Sequence, residues 1–331
     1  MSDNNLNYTI SIKKIEKIQA KLEDKGLIID SQYNIVDVIG KLGYENVILK
    51  YSPFFYDSFQ NYKIGTKLSD IVDLFFFDLD LRKEVFSIMQ LFELRLKSAM
   101  IEIISSYISP NYNNYVKSGN FEEKYEYKNK KGEVLFKTTR KWLRNRLKQY
   151  RNKLNWEPKV AEIIPKLYFH EIEDWYCLLR EDLKYKVALY MKFGPGFEVF
   201  QSKINVEEAT AFLAPMINLY RGYRNQAAHE GIIFNYYDPE LRFPYTVYYN
   251  GQKLIPSDRQ YHCGIGILLL LSYLLDPDFL FKRFDASLEI LIRNYLMNHP
   301  DQKDIIKEMG LDRVHILTKD KKYIEFWSKR G

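Results

Sequence analysis

Cysteine is nearly absent: 331 residues hold two, Cys177 and Cys263. They stand in no CxxC or Cys/His spacing, which excludes a disulfide framework and a thiolate zinc site and leaves reduced cysteines of core type. Long apolar runs are missing too. The longest, Ile265–Leu271, is far short of a membrane span, and the polar opening MSDNNLNYTISIKK contains no apolar signal segment, so a cytoplasmic protein is expected. Glycine and proline number 15 and 11 and build no linker, so one extended domain with insertions and two fused helical units fit equally well. No GxGxxG, no GxxxxGK[ST] loop, no GxSxG elbow and no internal repeat occurs, which removes the dinucleotide, phosphate-loop and serine-hydrolase classes that depend on them.

Acidic residues are scarce over one stretch. From Lys124 to Lys153 twelve Lys and Arg face two acids, a balance of +10, so the rest of a chain with overall charge +6 nets −4. Within it, KTTRKWLRNRLKQYRNK (137 to 153) reads as a helix in which Leu143, Leu147, Tyr150 and Leu154 form a docking stripe and the cations point outward. Lys137, Arg140, Lys141, Arg144, Arg146, Lys148, Arg151 and Lys153 suit a phosphate backbone, and Trp142 is available to stack on a base. A solvated basic helix without a partner is the plainer alternative. The preceding YEYKNKKGEVLF places Lys131-Gly132 between two β-prone runs and suggests a hairpin.

The periodicity elsewhere is helical. Helices are predicted at 8–26, ended by Gly26, at 31–42, over a long span from about Asp70 to Tyr107 capped by Thr66 or Ser69, and at roughly 170–192, 205–229, 261–275, 278–297 and 301–309. One clear hairpin, FPYTVYYNGQKLIP (243 to 256), has Asn250-Gly251 as its type I′ turn. The class is therefore all-α with one small β-hairpin. On the long helix Asp78, Arg82, Val85, Met89 and Glu93 fall on one stripe, so charges either pair in the interior or line a polar cavity. Glu93 is the better site-facing acid, with Asp78 and Arg82 as supporting candidates.

The chain has five histidines. One ends the run RGYRNQAAHEG, residues 221 to 231, in which Arg224-Asn225-Gln226-Ala227-Ala228-His229 closes a predicted helix just before Gly231. Asn225 and His229 are four apart and lie one above the other, so the amide can orient the imidazole. Arg224 lies about 140° round the helix from His229, so one copy need not bring them together, whereas two helices about a two-fold axis would surround one phosphate. Such a set suits RNA cleavage: imidazole takes the 2′-hydroxyl proton or protonates the leaving oxygen, and guanidinium groups, with Arg221 as a possible supporter, stabilise the phosphorane. A structural helix end is the plainer reading. Arg293-Asn294…His299 imitates the pattern, but its Tyr, Leu and Met look like core and Pro300 ends the helix, so His299 is expected to be an end residue.

These residues resemble a family. Arg224-Asn225-Gln226-Ala227-Ala228-His229 is similar to the R-polar-xxx-H signature of HEPN ribonucleases. GYENVILKYSPFF (43 to 55), KIGT (63 to 66), LFFFDLDLRKEVFSIMQLFELRLKSAM (74 to 100) and YMKFG (190 to 194) resemble the Abi-like (AbiD/AbiF) abortive-infection proteins, nearest the AbiF-like branch through Gly43-Tyr44-Glu45-Asn46-Val47 and Tyr51-Ser52-Pro53-Phe54-Phe55. The resemblance implies a HEPN-like helical domain over 66–331, interrupted by a basic RNA-binding insertion at about 110–160 and preceded by an N-terminal helical region over 1–65. It further implies a homodimer with a composite Arg/His site, RNA cleavage without metal or cofactor giving 2′,3′-cyclic phosphate ends, anti-phage defence, and a small noncoding RNA as partner, with no membrane or DNA partner. A non-catalytic RNA-binding scaffold and a plain helical interaction protein remain as alternatives.

Overall fold

The computed structural model describes residues 12–128, 133–199, 206–229, 231–237, 248–249, 252–253 and 264–311. Its elements in chain order are α1 (Ile12–Asp24), α2 (Leu68–Tyr107), β1 (Lys124–Lys128), β2 (Val134–Thr139), α3 (Arg140–Leu154), α4 (Phe169–Leu178), α5 (Glu181–Phe193), α6 (Val206–Ala228), β3 (Tyr248–Tyr249), β4 (Gln252–Lys253), α7 (Gly264–Leu275), α8 (Lys282–Asn298) and α9 (Lys303–Glu308), with short helical turns between. The fold is predominantly helical, as the periodicity predicts. Two compact units share it: residues to Leu81 with Glu289–Ile305, and Arg82–Leu288 with the chain from Ile306.

In the first unit α1 buries Ile15 and Leu22 and stops at Gly26, whose φ of 92° a β-carbon would disfavour. The helix predicted at 31–42 is not regular: a turn capped by the Asn34 side chain passes into two wider π-type turns, Val38–Leu42 and Glu45–Leu49. These wider turns leave Val38, Ile39, Val47 and Ile48 all buried. The long helix α2 begins close to its predicted start but is capped differently. Thr66 Oγ1 donates to the Lys63 carbonyl, while the carboxylates of Asp70 and Asp30 accept the Lys67 and Ser69 N–H groups at 2.8 and 3.2 Å. The two acids also complement the positive end of the helix, while the Leu68 and Asp70 N–H groups bond to the Ile28 and Lys67 carbonyls.

In the second unit the remainder of α2 packs on α4 and α6, with the Phe92 ring 4.1 Å from that of Tyr220 and 6.3 Å from that of Phe169. The single helix predicted over 170–192 is two, broken at Leu179-Arg180. There the Leu178 carbonyl accepts the Glu122 N–H at 2.8 Å and Leu179 pairs with Phe121, so a distant strand-like contact outweighs local helical preference. β1 and β2 form the expected antiparallel hairpin, whose Lys131-Gly132 turn lies outside the described residues. Thr139 Oγ1 then caps α3 by accepting the Trp142 N–H, and Asn155 ends that helix in the left-handed region at φ 62°. β3 and β4 pair Tyr248 with Lys253 and Tyr249 with Gln252, bracketing Asn250-Gly251, itself outside the described residues. Among the described residues no helix is long and apolar enough to cross a membrane.

Candidate active site and nucleic-acid interface

α6 is fixed by its buried face. Leu213, Met216, Ile217, Tyr220 and Tyr223 recur at helical spacing and are almost wholly buried, each stabilising the helix by roughly 1.5–3 kcal/mol. Tyr220 Oη shares a hydrogen bond with Ser272 Oγ of α7, and Tyr223 Oη donates to the carbonyl of Gly264. The opposite end reaches solvent: Asn225, Ala228 and His229 are exposed and Arg224 is half-buried. The helical bonding runs one residue past α6, since the His229 N–H donates to the Asn225 carbonyl at 2.9 Å. The chain then reverses on Gln226, whose carbonyl accepts the Gly231 N–H and whose Nε2 donates to the Ile232 carbonyl. A Cβ at 231 would lie 2.1 Å from Gln226 Cδ, so a larger residue there would push the Gln226 side chain off the Ile232 carbonyl. The last turn of α6 is thus closed off by Gln226 and leaves the Asn225 and His229 side chains outward.

One turn before Arg224 stands Arg221, held from three sides. Its Nη1 pairs with Glu173 Oε2 at 2.9 Å, its Nη2 donates to Asn218 Oδ1 at 2.9 Å, and its guanidinium lies 5.3 Å from the Phe136 ring centre of β2. Glu173 is fully buried and its Oε1 has no partner among the described residues. Burial pushes its carboxyl up to about 7 despite Arg221, and burial likewise lifts neighbouring Asp174 to about 6. The third acid of α4, Glu171, is also fully buried and is satisfied: it accepts from Arg146 Nε, from Tyr150 Oη at 2.9 Å and from its own helix start, the Tyr168 N–H, at 2.9 Å. Sequence reasoning missed these acids. Their signal was present in HEIEDW, where acids alternate with Ile172 and Trp175 and leave no purely polar face.

The basic segment is divided by these contacts. Leu143 and Leu147 are buried as expected, with Tyr150 and Leu154 half-buried beside them. Arg146 turns inward to Glu171, Arg140 Nη1 donates to the carbonyls of Ser118 and Phe121, and Arg151 lies 5.6 Å from the Tyr112 ring centre. Lys153 lies 5.8 Å from the Tyr150 ring, and Lys137 shares Glu126 with Lys124 and Lys128. Lys141, Arg144 and Lys148 are exposed and make no ion pair among the described residues, and Trp142 beside them is 41% exposed. The outward placement predicted for every arginine therefore holds for Arg144 and not for Arg146, because a buried carboxylate within reach of a long side chain outweighs its hydration.

The remaining candidates have other partners. Glu93 forms an ion pair with Lys97 at 2.8 Å on α2. Asp78 is buried in the first unit and accepts from Tyr51 Oη at 2.7 Å, and Arg82 is buried at the start of the second. His299 is more than a helix-end residue: it is buried, with Nδ1 3.1 Å from Asp70 and Nε2 3.0 Å from Asp73, while Tyr33 and Gln32 also donate to Asp73. Burial opposes charge on this ring, but the two carboxylates prevail and raise it to about 9, so it is an imidazolium clamp at neutral pH. Arg293 pairs with Glu289 along its own helix. His170 is exposed and stacked on Tyr168; Cys177 is buried; His262, Cys263 and His315 lie outside the described residues. Among the described residues no group of three or more His, Cys, Asp or Glu side chains is placed to hold a metal ion.

No curated protein and no solved structure matches the chain. A family model does, that of the Abi-like proteins, over residues 37–235. The match takes in the aromatic segment before α2, all of α2, the basic hairpin and helix, the acidic helix α4, and α6 with its Arg224…His229 end. Since it spans more than half of the sequence, the chain belongs to the Abi-like protein family.

Proposed function

We propose that the protein acts in bacterial abortive infection against phage, in the cytoplasm, as a metal-independent HEPN endoribonuclease that binds a small noncoding RNA. The observation that carries this reading is the end of α6, where Asn225 and His229 face solvent and Arg224 is half-exposed while Leu213, Met216, Ile217, Tyr220 and Tyr223 of the same helix are buried. A helix end fixed on one side and open on the other provides the rigid support that catalytic geometry needs. In one chain Arg224 and His229 diverge by about 140°, so the reading takes two chains around a two-fold axis, each lending its Arg and His to one phosphate. His229 removes the 2′-hydroxyl proton or protonates the departing 5′-oxygen. The 2′-oxygen bonds to phosphorus as the P–O5′ bond breaks, leaving a 2′,3′-cyclic phosphate and a 5′-hydroxyl, and Arg224 stabilises the added charge on the phosphoryl oxygens. Asn225, one turn before His229, orients the imidazole.

The test is the incubation of total RNA with the wild-type protein and with His229→Ala and Arg224→Ala, with end-chemistry analysis of the products. Loss of cyclic-phosphate ends in both variants, with RNA binding retained, is expected. If wild type and His229→Ala leave RNA equally intact while RNA still co-purifies with both, the protein is instead a non-catalytic scaffold of a ribonucleoprotein.

A further inference from the structure

α3 carries no acid over its fifteen residues, and its interior contacts divide its cations sharply. Leu143 and Leu147 fix the buried direction, and Arg146 is drawn to Glu171 beside it. Lys141, Asn145, Lys148 and Asn152, at i, i+4, i+7 and i+11, form the opposite, exposed stripe, flanked by Arg144 on one side and by Gln149 and Trp142 on the other. An exposed tryptophan leaves one of the largest apolar surfaces of any side chain in water, and here it stands among cations and amides rather than in an apolar patch. The same arm begins with a second positive group, three lysines around the single carboxylate of Glu126, and β2 passes directly into α3 through the Thr139 cap.

We propose that this face of α3 is a docking surface for single-stranded RNA, with phosphates on Lys141, Arg144 and Lys148 and one unstacked base on the Trp142 indole. The proposal rests on the RNA-binding reading above and narrows it to a substrate class and a set of contacts. Three features select this occupant. The surplus positive charge matches a polyanion, and the axial distance from Lys141 to Lys148, about 10 Å at 1.5 Å per residue, spans more than one phosphate step. A flat ring beside the cations takes a nucleobase face, which an acidic peptide lacks, and the amides of Asn145 and Asn152 offer donors and acceptors to base edges and ribose hydroxyls, while Gln149 Oε1 accepts from Arg146 Nη1 at 2.9 Å. A duplex would use the cations but not the tryptophan, because base faces in an A-form helix are stacked and the major groove is too deep and narrow for side chains. Arg140, Arg146 and Arg151 are half-buried and engaged by the Ser118 and Phe121 carbonyls, by Glu171 and by the Tyr112 ring, and are not part of this face.

Fluorescence anisotropy of the full chain tests this with a labelled, unstructured RNA of about sixteen nucleotides, its duplex, and single-stranded DNA of the same sequence. The variants are Trp142→Ala, Trp142→Phe, the triple Lys141→Gln/Arg144→Gln/Lys148→Gln, and a charge-matched control on α1, Lys13→Gln/Lys14→Gln/Lys17→Gln. Single-stranded RNA is expected to bind at least tenfold tighter than the duplex or the DNA. Trp142→Ala weakens it by about tenfold or more while Trp142→Phe restores most of the loss. The α3 triple lowers the slope of log affinity against log salt by about 2, at roughly 0.7 per phosphate contact, and the α1 triple leaves it unchanged. Tight RNA binding that is indifferent to Trp142, equal for duplex or DNA, or equally weakened by the α1 control overturns this inference and leaves the RNA-binding reading standing. No RNA bound by the wild type at low salt removes both.

Discussion

Replacing Glu173 by glutamine should flatten the pH dependence of stability. The carboxyl is wholly buried on α4, one oxygen on Arg221 and the other without a partner among the described residues, and burial lifts it from 4.5 to about 7. A raised carboxyl means that the folded chain keeps a proton the unfolded chain has released. Its contribution to stability is therefore complete below about 4.5 and is lost as pH rises through about 7. At 1.36 kcal/mol per pH unit, the loss between pH 5 and pH 8 is about 2.5 kcal/mol. Glutamine fills the same volume and does not titrate. Below about pH 7 the Glu173 carboxyl is itself protonated, so there glutamine takes no charged partner from Arg221, which is partly exposed. Urea unfolding at several pH values for both proteins gives the difference directly, and Asp174, which burial shifts the same way, is common to both and cancels. The stability lost by the wild type from pH 5 to pH 8 should exceed that of the variant by roughly 2–3 kcal/mol. Parallel curves would mean that Glu173 is ionised throughout and that its free oxygen has found a donor.

His299→Gln tests the clamp of the first unit with the opposite group and the same sign. A histidine raised from 6.5 to about 9 lends stability that is present in full below 6.5 and disappears as pH climbs through 9. The wild-type urea midpoint should fall between pH 7 and 10 and that of the variant should not; equal declines would show the ring to be neutral between Asp70 and Asp73. On α3, Arg146→Met leaves Glu171 buried without its cation and should cost about 3 kcal/mol or more, whereas Arg144→Met, on the exposed face, should stay within about 0.5 kcal/mol. Similar midpoints for the two variants in chemical denaturation would refute the division of the basic helix into an inner and an outer set.

Long elements were legible because a sustained apolar period over many turns leaves little choice: α2 begins two residues before its predicted start and ends where predicted. What escaped the sequence was decided by contacts distant along the chain. Nothing in LLRED marks a break between α4 and α5, since the break is made by Phe121 and Glu122, which reach Leu179 and the Leu178 carbonyl from more than fifty residues away. The wider turns at Val38–Leu42, Glu45–Leu49 and Pro277–Phe281 keep helical spacing well enough to look regular in a pattern of apolar residues. The acids of α4 left a mark in HEIEDW, where they interrupt the apolar positions, but the pattern does not say which of them is buried or which cation each meets. His299, expected as an end residue, is a buried clamp, and its partners Asp70 and Asp73 lie more than two hundred residues earlier.

α4 is where the two proposed functions become inseparable in the fold. Burying Glu171, Glu173 and Asp174 on one short helix is tolerable only if cations come to them, and they come from different elements: Arg146 from the basic helix, Arg221 from the helix that ends in Arg224 and His229. Phe136 of the hairpin closes the connection by lying against the Arg221 guanidinium. The basic arm and the last turns of α6 are thus both attached to α4 by charge as well as by apolar packing, and a change at 171, 173 or 221 will disturb binding and any chemistry together. Loss of cleavage in a Glu173 or Arg221 variant would for that reason not mark either residue as catalytic. Only a variant such as His229→Ala, whose side chain faces solvent and takes no part in the α4 contacts, can separate chemistry from the integrity of its support.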